Sequence, residues 1–100
     1  MARFLVQITV ELPPQMEAAE REQLLERERR RGFELRDAGT IEEIWRLPGR
    51  LANVGVWSVA DATELHEAIA SLPVWPYTRV EVTPLADHHL TRRPERGGRE

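Results

Sequence analysis

The first apolar residues of the chain recur at every second position. The members of this set are Phe4, Val6, Ile8, Val10 and Leu12. Such spacing places their side chains on one face of a β-strand. Pro13-Pro14 ends the strand, because proline cannot donate a hydrogen bond to a sheet ladder. Polar residues interrupt the apolar run and no small-residue cleavage site follows, so we predict a first strand rather than a signal peptide.

A long helix is predicted next. Residues 17–38 are strong helix formers, and Gly39 stands where a C-terminal cap is expected. At about 100° per residue, Leu24, Leu35 and Ala38 lie on one stripe of this helix. We expect that stripe to face the core.

Two charged residues lie on the stripe that should be apolar. Glu28 and Arg31 fall in line with the leucines, whereas Phe33 projects from the opposite side of the helix. Gly32 stands in mid-helix, where glycine costs about 1 kcal/mol relative to alanine. We predict that this glycine lets another element approach the helix closely.

The second half of the chain predicts a hairpin, a helix and a last strand. Strands over 41–47 and 51–59 flank the turn dipeptide Pro48-Gly49. Asp61 with Glu64 three residues later forms a capping box, which opens a helix that continues to Ser71. The core side of this helix is expected to carry Leu65, Ile69 and Leu72. The last strand is predicted over the segment "RVEVTPL".

The element order is therefore β-α-β-β-α-β, which predicts an α+β, ferredoxin-like domain over residues 1–88. Its four-stranded antiparallel sheet carries both helices on one face. Trp45 and Trp57 are expected to add apolar area to the other face, so we predict dimerisation through the sheet. Residues 89–100 are polar and largely basic, which predicts a flexible tail.

Composition narrows the classes of function. The 100 residues are 41% hydrophobic and 31% charged, with a formal net charge of −3. This charge argues against a dedicated nucleic-acid binder, and no apolar run approaches the roughly 20 residues needed to span a bilayer. The absence of cysteine excludes disulfides and thiolate metal sites, and it fits a cytoplasmic location.

Glu28 is the residue whose position points most directly to chemistry. A buried carboxylate loses hydration, so its pKa rises and it can accept a proton near neutral pH. Arg31 lies one turn away on the same face and could hold an anionic substrate. The alternative is a surface ion pair of Glu28 with Arg31 or Arg29, which contributes only tenths of a kcal/mol.

The other polar candidates are less specific. His66 and the pair His88-His89 show no HxH or HExxH spacing, so no metal site is predicted. His66 can equally be a buried side chain with satisfied hydrogen bonds. Asn53 interrupts an apolar strand, which a bulge or an edge position explains as well as a ligand contact does.

Five segments together resemble the muconolactone Δ-isomerase family. They are "FLVQITVELPPQM", "ERER…GFEL…AGT", "IWRLPGRLANVGVWSV", "ELHEAIASLPVWPY" and "VEVTPLADH". The specific combination is WR-x-x-G-x-x-AN, then ELH, then SLP-x-x-PY, and the resemblance covers residues 4–89. It implies a dimeric α+β barrel and an assembly of dimers into a ring, a decamer built as a pentamer of dimers.

The resemblance also implies an activity. Family members shift the double bond of (+)-muconolactone to give the enol-lactone of 3-oxoadipate, without a cofactor, in the β-ketoadipate pathway of aromatic catabolism. Glu28 matches the acidic helix position and is the candidate base. The expected substrate or oxyanion contacts are Arg31, Arg46, Asn53, His66 and Tyr77.

Departures from the family pattern keep other functions open. Arg29 stands where the family has lysine, Gly55 where it has a polar residue, and His89 where it has proline. Arginine stays charged and cannot take lysine's proton-transfer roles. The alternatives are a cofactor-free monooxygenase or chlorolactone dehalogenase on the same barrel, and a non-catalytic oligomeric binding subunit. The last predicts an exposed Glu28 with no pocket beside it.

Overall fold

Four strands and two helices follow one another along residues 1–91, which are the residues described by this computed structural model. The elements are β1 (Ala2–Val10), α1 (Ala18–Asp37), β2 (Ile41–Arg46), β3 (Ala52–Val59), α2 (Ala62–Ala70), a short 3-10 helix (Trp75–Tyr77) and β4 (Thr78–Leu85). This order confirms the predicted β-α-β-β-α-β arrangement. Most of the predicted flexible tail, residues 92–100, lies outside the described residues.

The strands form one antiparallel sheet in the order β2-β3-β1-β4. Residues paired directly across strands point to the same side of a sheet. Phe4 pairs with Trp57, and Ile8 pairs with Asn53 on one neighbour and Val80 on the other. The predicted apolar face of β1 therefore continues across the strands on both sides.

Both helices cover that inner face. Its core joins β1 and β3 to the buried leucines and isoleucine of the helices. The buried members are Phe4, Val6, Ile8, Leu24, Leu35, Ile41, Trp57, Val59, Leu65, Ile69, Leu72 and Val74. The predicted core residues Leu24 and Leu35 on α1 and Leu65 and Ile69 on α2 are confirmed. Leu72, just after α2, is buried as predicted, whereas Ala38, just after α1, is exposed and does not face the core.

The expectation that Trp57 lies on the uncovered face was wrong. Its side chain is 1% exposed and packs in the core, since it pairs with Phe4 and Ile41. Trp45 does lie on the outer face, with 53% of its surface exposed. It pairs with Val54, whose opposite neighbour on β1 is the outward-facing Gln7.

The outer face of the sheet carries an apolar patch nonetheless. Leu5 pairs with Val56 on β3, and Trp45 pairs with the neighbouring Val54. Leu85 on β4 extends this surface next to Arg3. We call Leu5, Trp45, Val54, Val56 and Leu85 the outer-face patch. No helix of residues 1–91 packs on it, because the described helices share the opposite side.

Residues at the helix ends determine where α1 ends and where α2 begins. Helix α1 ends at Asp37, and Gly39 follows with φ of 84°, a left-handed conformation that glycine adopts without steric cost. The Asp61 side chain accepts a hydrogen bond from the N–H of Glu64 at 2.8 Å and so caps α2 as predicted. No helix within residues 1–91 is long and apolar enough to cross a membrane.

Candidate active site

A pocket of about 300 Å³ opens between α1 and one end of the sheet. It lies where β1 and β2 end and β3 begins, and the loop after α2 forms a further wall. The lining residues are Val10, Leu25, Glu28, Arg29, Gly32, Arg46, Leu51, Asn53 and Val74. A mostly apolar cleft with a few convergent polar groups is typical of a small-molecule site.

One face of α1 supplies almost half of this lining. Leu25, Glu28, Arg29 and Gly32 follow one another at intervals of three, one and three residues, so they share a helical face. The buried Leu24 and Leu35 hold that side of the helix against the sheet. Glu28 thus points into the pocket as a consequence of the same stripe that anchors the helix.

The Glu28 carboxylate is partly buried in this pocket. Burial raises the pKa of the Glu28 carboxyl above its ordinary value, and a hydrogen bond from the backbone N–H of Val74 opposes that rise. The Oε1 atom of Glu28 accepts this hydrogen bond at 3.3 Å. A desolvated carboxylate held by one backbone donor is suited to accept a proton from a weak acid.

Glu28 forms no ion pair with Arg31 or Arg29, which was the alternative that the sequence left open. Arg31 pairs with Glu34 at 2.9 Å, and Arg29 pairs with Glu26. Among residues 1–91, no arginine nitrogen lies within 4.0 Å of the Glu28 carboxylate. The carboxylate therefore remains available to a ligand.

Asn53 and Arg46 stand opposite each other across the β2–β3 pair, and both line the pocket. Asn53 lies within a central strand away from the β-bulge, which falls between Ile41 and Glu43. Neither a bulge nor an edge position explains this asparagine. Its Oδ1 atom is buried and has no hydrogen-bond partner among the described residues.

Arg46 contributes a positive charge at the pocket. Its Nη1 atom donates one long hydrogen bond, 3.4 Å, to the carbonyl of Ala52. Within the described part of the chain, no carboxylate lies within 4.0 Å of its nitrogen atoms. The guanidinium can therefore pair with an anionic group of a ligand.

Three of the predicted site residues lie away from the pocket lining. Arg31 donates from Nε to the Ser71 hydroxyl at 3.0 Å and so connects α1 to the end of α2. His66 is exposed on α2 and meets the ring of Trp75 edge-on, with centroids 6.1 Å apart. Tyr77 is half-buried against the core. The structure brings together Glu28, Arg46 and Asn53 from the predicted set.

The pocket also includes groups that the sequence did not indicate. The Val74 N–H lies in a proline-broken loop, and a backbone donor leaves no signature in the sequence. Gly32 was expected to permit a close approach, but a Cβ there would meet no heavy atom within 4 Å. Its position four residues after Glu28 was the available signal that it faces the pocket.

Comparison with known proteins identifies the family. A family model described as muconolactone delta-isomerase matches residues 2–91. The chain belongs to this family. Muconolactone Delta-isomerase of Rhodococcus opacus is 35% identical over 88 residues, covering 88% of this chain and 95% of its own length. Muconolactone Delta-isomerase 2 of Acinetobacter lwoffii is 36% identical over 85 residues, which are 85% and 88% of the two chains.

A solved structure extends the match to three dimensions. The crystal structure of muconolactone isomerase at 3.3 Å superposes with a TM-score of 0.81 and 36% sequence identity, covering 86% of this chain and 90% of that one. The muconolactone delta-isomerase family therefore accounts for both the sequence and the sheet topology. The chain is an isomerase, as the resemblance implied. Among residues 1–91, no three potential metal ligands of the His, Cys, Asp or Glu type cluster.

Proposed function

We propose that this isomerase converts (+)-muconolactone, or a closely related carboxymethyl-butenolide, to the enol-lactone of 3-oxoadipate. The observation that carries the proposal is the partly buried Glu28 carboxylate, without an ion pair among residues 1–91, beside Arg46 and Asn53 in one pocket. The relatives' names support this substrate class. The pocket volume of about 300 Å³ suits a ligand of this size.

The reaction moves one proton between two carbons. Glu28 removes the proton from the ring carbon that bears the carboxymethyl group. The electron pair of that C–H bond forms a new ring double bond, and the original double bond becomes part of a dienolate on the lactone carbonyl. Glu28 then returns the proton to the carbon next to that carbonyl. Atoms and charge balance with one base and no cofactor.

The environment of Glu28 supports both halves of this cycle. Desolvation makes the carboxylate a stronger base towards carbon, and it makes the resulting carboxylic acid a usable donor. The Val74 N–H keeps the carboxylate in one orientation. A base that holds the proton between two carbons must stay close to both, so this fixed orientation favours return of the proton over its loss to water.

Asn53 and Arg46 are the proposed contacts for the oxygen atoms of the substrate. The dienolate oxygen gains negative charge during the reaction, and a fixed amide or guanidinium N–H stabilises it more than it stabilises the ground state. The carboxymethyl group carries a permanent charge, for which the unpaired Arg46 is the match. The substrate contacts expected of Arg31, His66 and Tyr77 stay predictions, because the side chains of these residues lie outside the pocket lining.

We further propose that the chain works as a homo-oligomer that assembles first through the sheet. The outer-face patch is the support for the dimer, because large exposed apolar surfaces usually mark interfaces. The assembly into a decamer, the place in the β-ketoadipate pathway and the cytoplasmic location remain expectations from the family resemblance.

Turnover by the purified protein tests the function directly. The assay follows the conversion of muconolactone and of its methyl- and chloro-substituted analogues. We expect isomerisation without added metal or cofactor. Release of chloride without isomerisation, or uptake of oxygen with a phenolic substrate, would instead indicate a dehalogenase or a monooxygenase. Inactivity with every lactone would contradict the proposal.

Replacement of Arg46 by alanine is expected to weaken substrate binding. A hydrogen bond to a charged group contributes about 1.5–3 kcal/mol, so KM should rise about 10- to 100-fold with a smaller change in kcat. Lysine at this position should restore part of the loss, because it keeps the charge without the planar fork. The matched control is Arg50→Ala, an exposed arginine outside the pocket lining. An unchanged KM for Arg46→Ala would exclude the contact.

The activity should depend on pH through Glu28. Since burial raises the pKa of this carboxyl above its ordinary value of 4.5, the base is protonated at pH values where exposed glutamates are already ionised. We expect kcat/KM to fall on acidification through this raised pKa and to be constant well above it. A pH–rate profile of the wild type measures the acid limb. If kcat/KM fell only at or below pH 4.5, the proposal that Glu28 acts as a desolvated base would be contradicted.

A further inference from the structure

Gly32 is a feature of the pocket that the proposed reaction does not use. It lies four residues after Glu28, so the two positions are neighbours on the face of α1 that lines the pocket. Glycine in the interior of a helix is unfavourable, since it loses more backbone freedom on folding than any other residue. The residue therefore requires an explanation at this site.

Neither backbone conformation nor packing explains this glycine. Gly39 and Gly49 have positive φ angles of 84° and 81°, whereas Gly32 lies within regular α-helix. At Gly55 an added Cβ would lie 2.5 Å from the Glu43 carbonyl oxygen, which excludes any side chain. At Gly32 an added Cβ would meet no heavy atom within 4 Å. The missing side chain therefore leaves open space and not a close contact.

That space belongs to the pocket, because Gly32 is one of its lining residues. The notch left by the missing side chain lies one turn from Glu28 and shares the pocket with the apolar side chains of Leu25 and Val74. An apolar group the size of a methyl would fit there without displacing a protein atom. A polar group would find no hydrogen-bonding side chain at Gly32 itself.

We propose that Gly32 sets the size of substrate that the pocket admits, and that the enzyme accepts lactones with a methyl- or halogen-sized substituent on the ring. The lactone class rests on the proposed function, whereas the size limit rests on the geometry of Gly32. A side chain at this position would fill the notch and exclude the substituted ligand before the unsubstituted one.

The test compares Gly32→Ala and Gly32→Leu with the wild type. Its ligands are saturated carboxymethyl-butyrolactones, which cannot be isomerised, without a substituent and with a methyl group at each ring carbon in turn. Dissociation constants are measured by titration calorimetry. Alanine and leucine both favour helix, so we expect folded variants with a raised Tm.

The wild type should bind at least one methylated ligand as tightly as the unsubstituted ligand. One methyl group in an apolar pocket changes discrimination by about 10- to 200-fold. Gly32→Leu should therefore raise the dissociation constant of that methylated ligand at least about tenfold more than that of the unsubstituted ligand. The effect of Gly32→Ala should lie between those of the wild type and Gly32→Leu. The control is Phe33→Ala, an exposed position next to Gly32 that is not part of the pocket lining, which should change neither constant.

Two readouts separate this inference from the proposed function. Equal weakening of all ligands by Gly32→Leu, or no weakening at all, would overturn the role of Gly32, even if the wild type isomerises muconolactone. Selective weakening would support the role of Gly32 even if the wild type turned over no unsaturated lactone, and only the proposed reaction would then fail. Failure of the wild type to bind any of these lactones would overturn the inference.

Discussion

Replacement of Glu28 by glutamine is expected to lower kcat for muconolactone by about 10³-fold or more. General acid–base catalysis contributes about 10²- to 10⁴-fold, and the proposed cycle uses this group twice, once to remove the proton and once to return it. Glutamine has nearly the same shape, and its Oε1 atom can still accept the hydrogen bond from Val74. The loss should therefore appear in kcat with little change in KM.

The matched control is Glu22→Gln, which changes an exposed glutamate on the same helix. It should retain wild-type kcat. Steady-state kinetics of both variants, with size-exclusion chromatography to verify assembly, provide the measurement. Near wild-type turnover by an assembled Glu28→Gln would remove Glu28 as the base, and the proposed mechanism with it.

The same substitution should stabilise the fold, which distinguishes a catalytic carboxylate from a structural one. A raised pKa in the folded state means that the native protein binds this proton more tightly than the unfolded chain does. The contribution of Glu28 to stability is therefore lost as pH rises from 4.5 through the raised pKa. The free energy of unfolding is measured with urea for both proteins at pH 8 and below pH 4.5. The value for Glu28→Gln minus that for the wild type should be larger at pH 8 than below pH 4.5. The reverse order would indicate a stabilising carboxylate.

The sequence predicted the scaffold well where one face of an element is apolar and the other is not. Strand β1 and helix α2 are of this kind. The alternation of apolar residues predicted the strand, and the capping residues together with the helical spacing of apolar residues predicted the helix. Strand β3 is different, because Val54 and Val56 alternate with Trp57 and Val59 and make both faces apolar. Its orientation is set by pairing with Phe4. That pairing joins residues far apart in the sequence, so the pattern within β3 alone could not predict it. This is why the prediction that Trp57 lies on the outer face was wrong.

The site could be predicted in part for similar reasons. Glu28 lies on the stripe of α1 that must face inward, so its position near a pocket followed from helical period. Arg46 and Asn53 meet because the hairpin register pairs them, which the turn at Pro48-Gly49 only suggests. His66 lies on the flank of α2, where period alone cannot separate a buried from an exposed side chain. Its predicted contact with substrate stays a prediction.

A lysine in place of Val56 is expected to prevent formation of the proposed dimer. Val56 lies in the outer-face patch between Leu5 and Glu43, its partners on the two neighbouring strands. The new ammonium can pair with Glu43 in a single chain, so the sheet itself should remain folded. Burial of that charge between two apolar sheet faces would cost several kcal/mol, which raises the dimer dissociation constant by at least about 10²-fold.

Sedimentation velocity at micromolar concentration measures the outcome. The wild type should sediment as an oligomer and Val56→Lys as a folded monomer, with circular dichroism as the check on folding. Val82→Lys is the matched control, because this exposed valine on β4 pairs with Val6 and so lies on the opposite side of the sheet. It should leave the oligomer intact. A monomeric wild type, or an oligomeric Val56→Lys, would show that the outer-face patch is not the surface through which two copies associate.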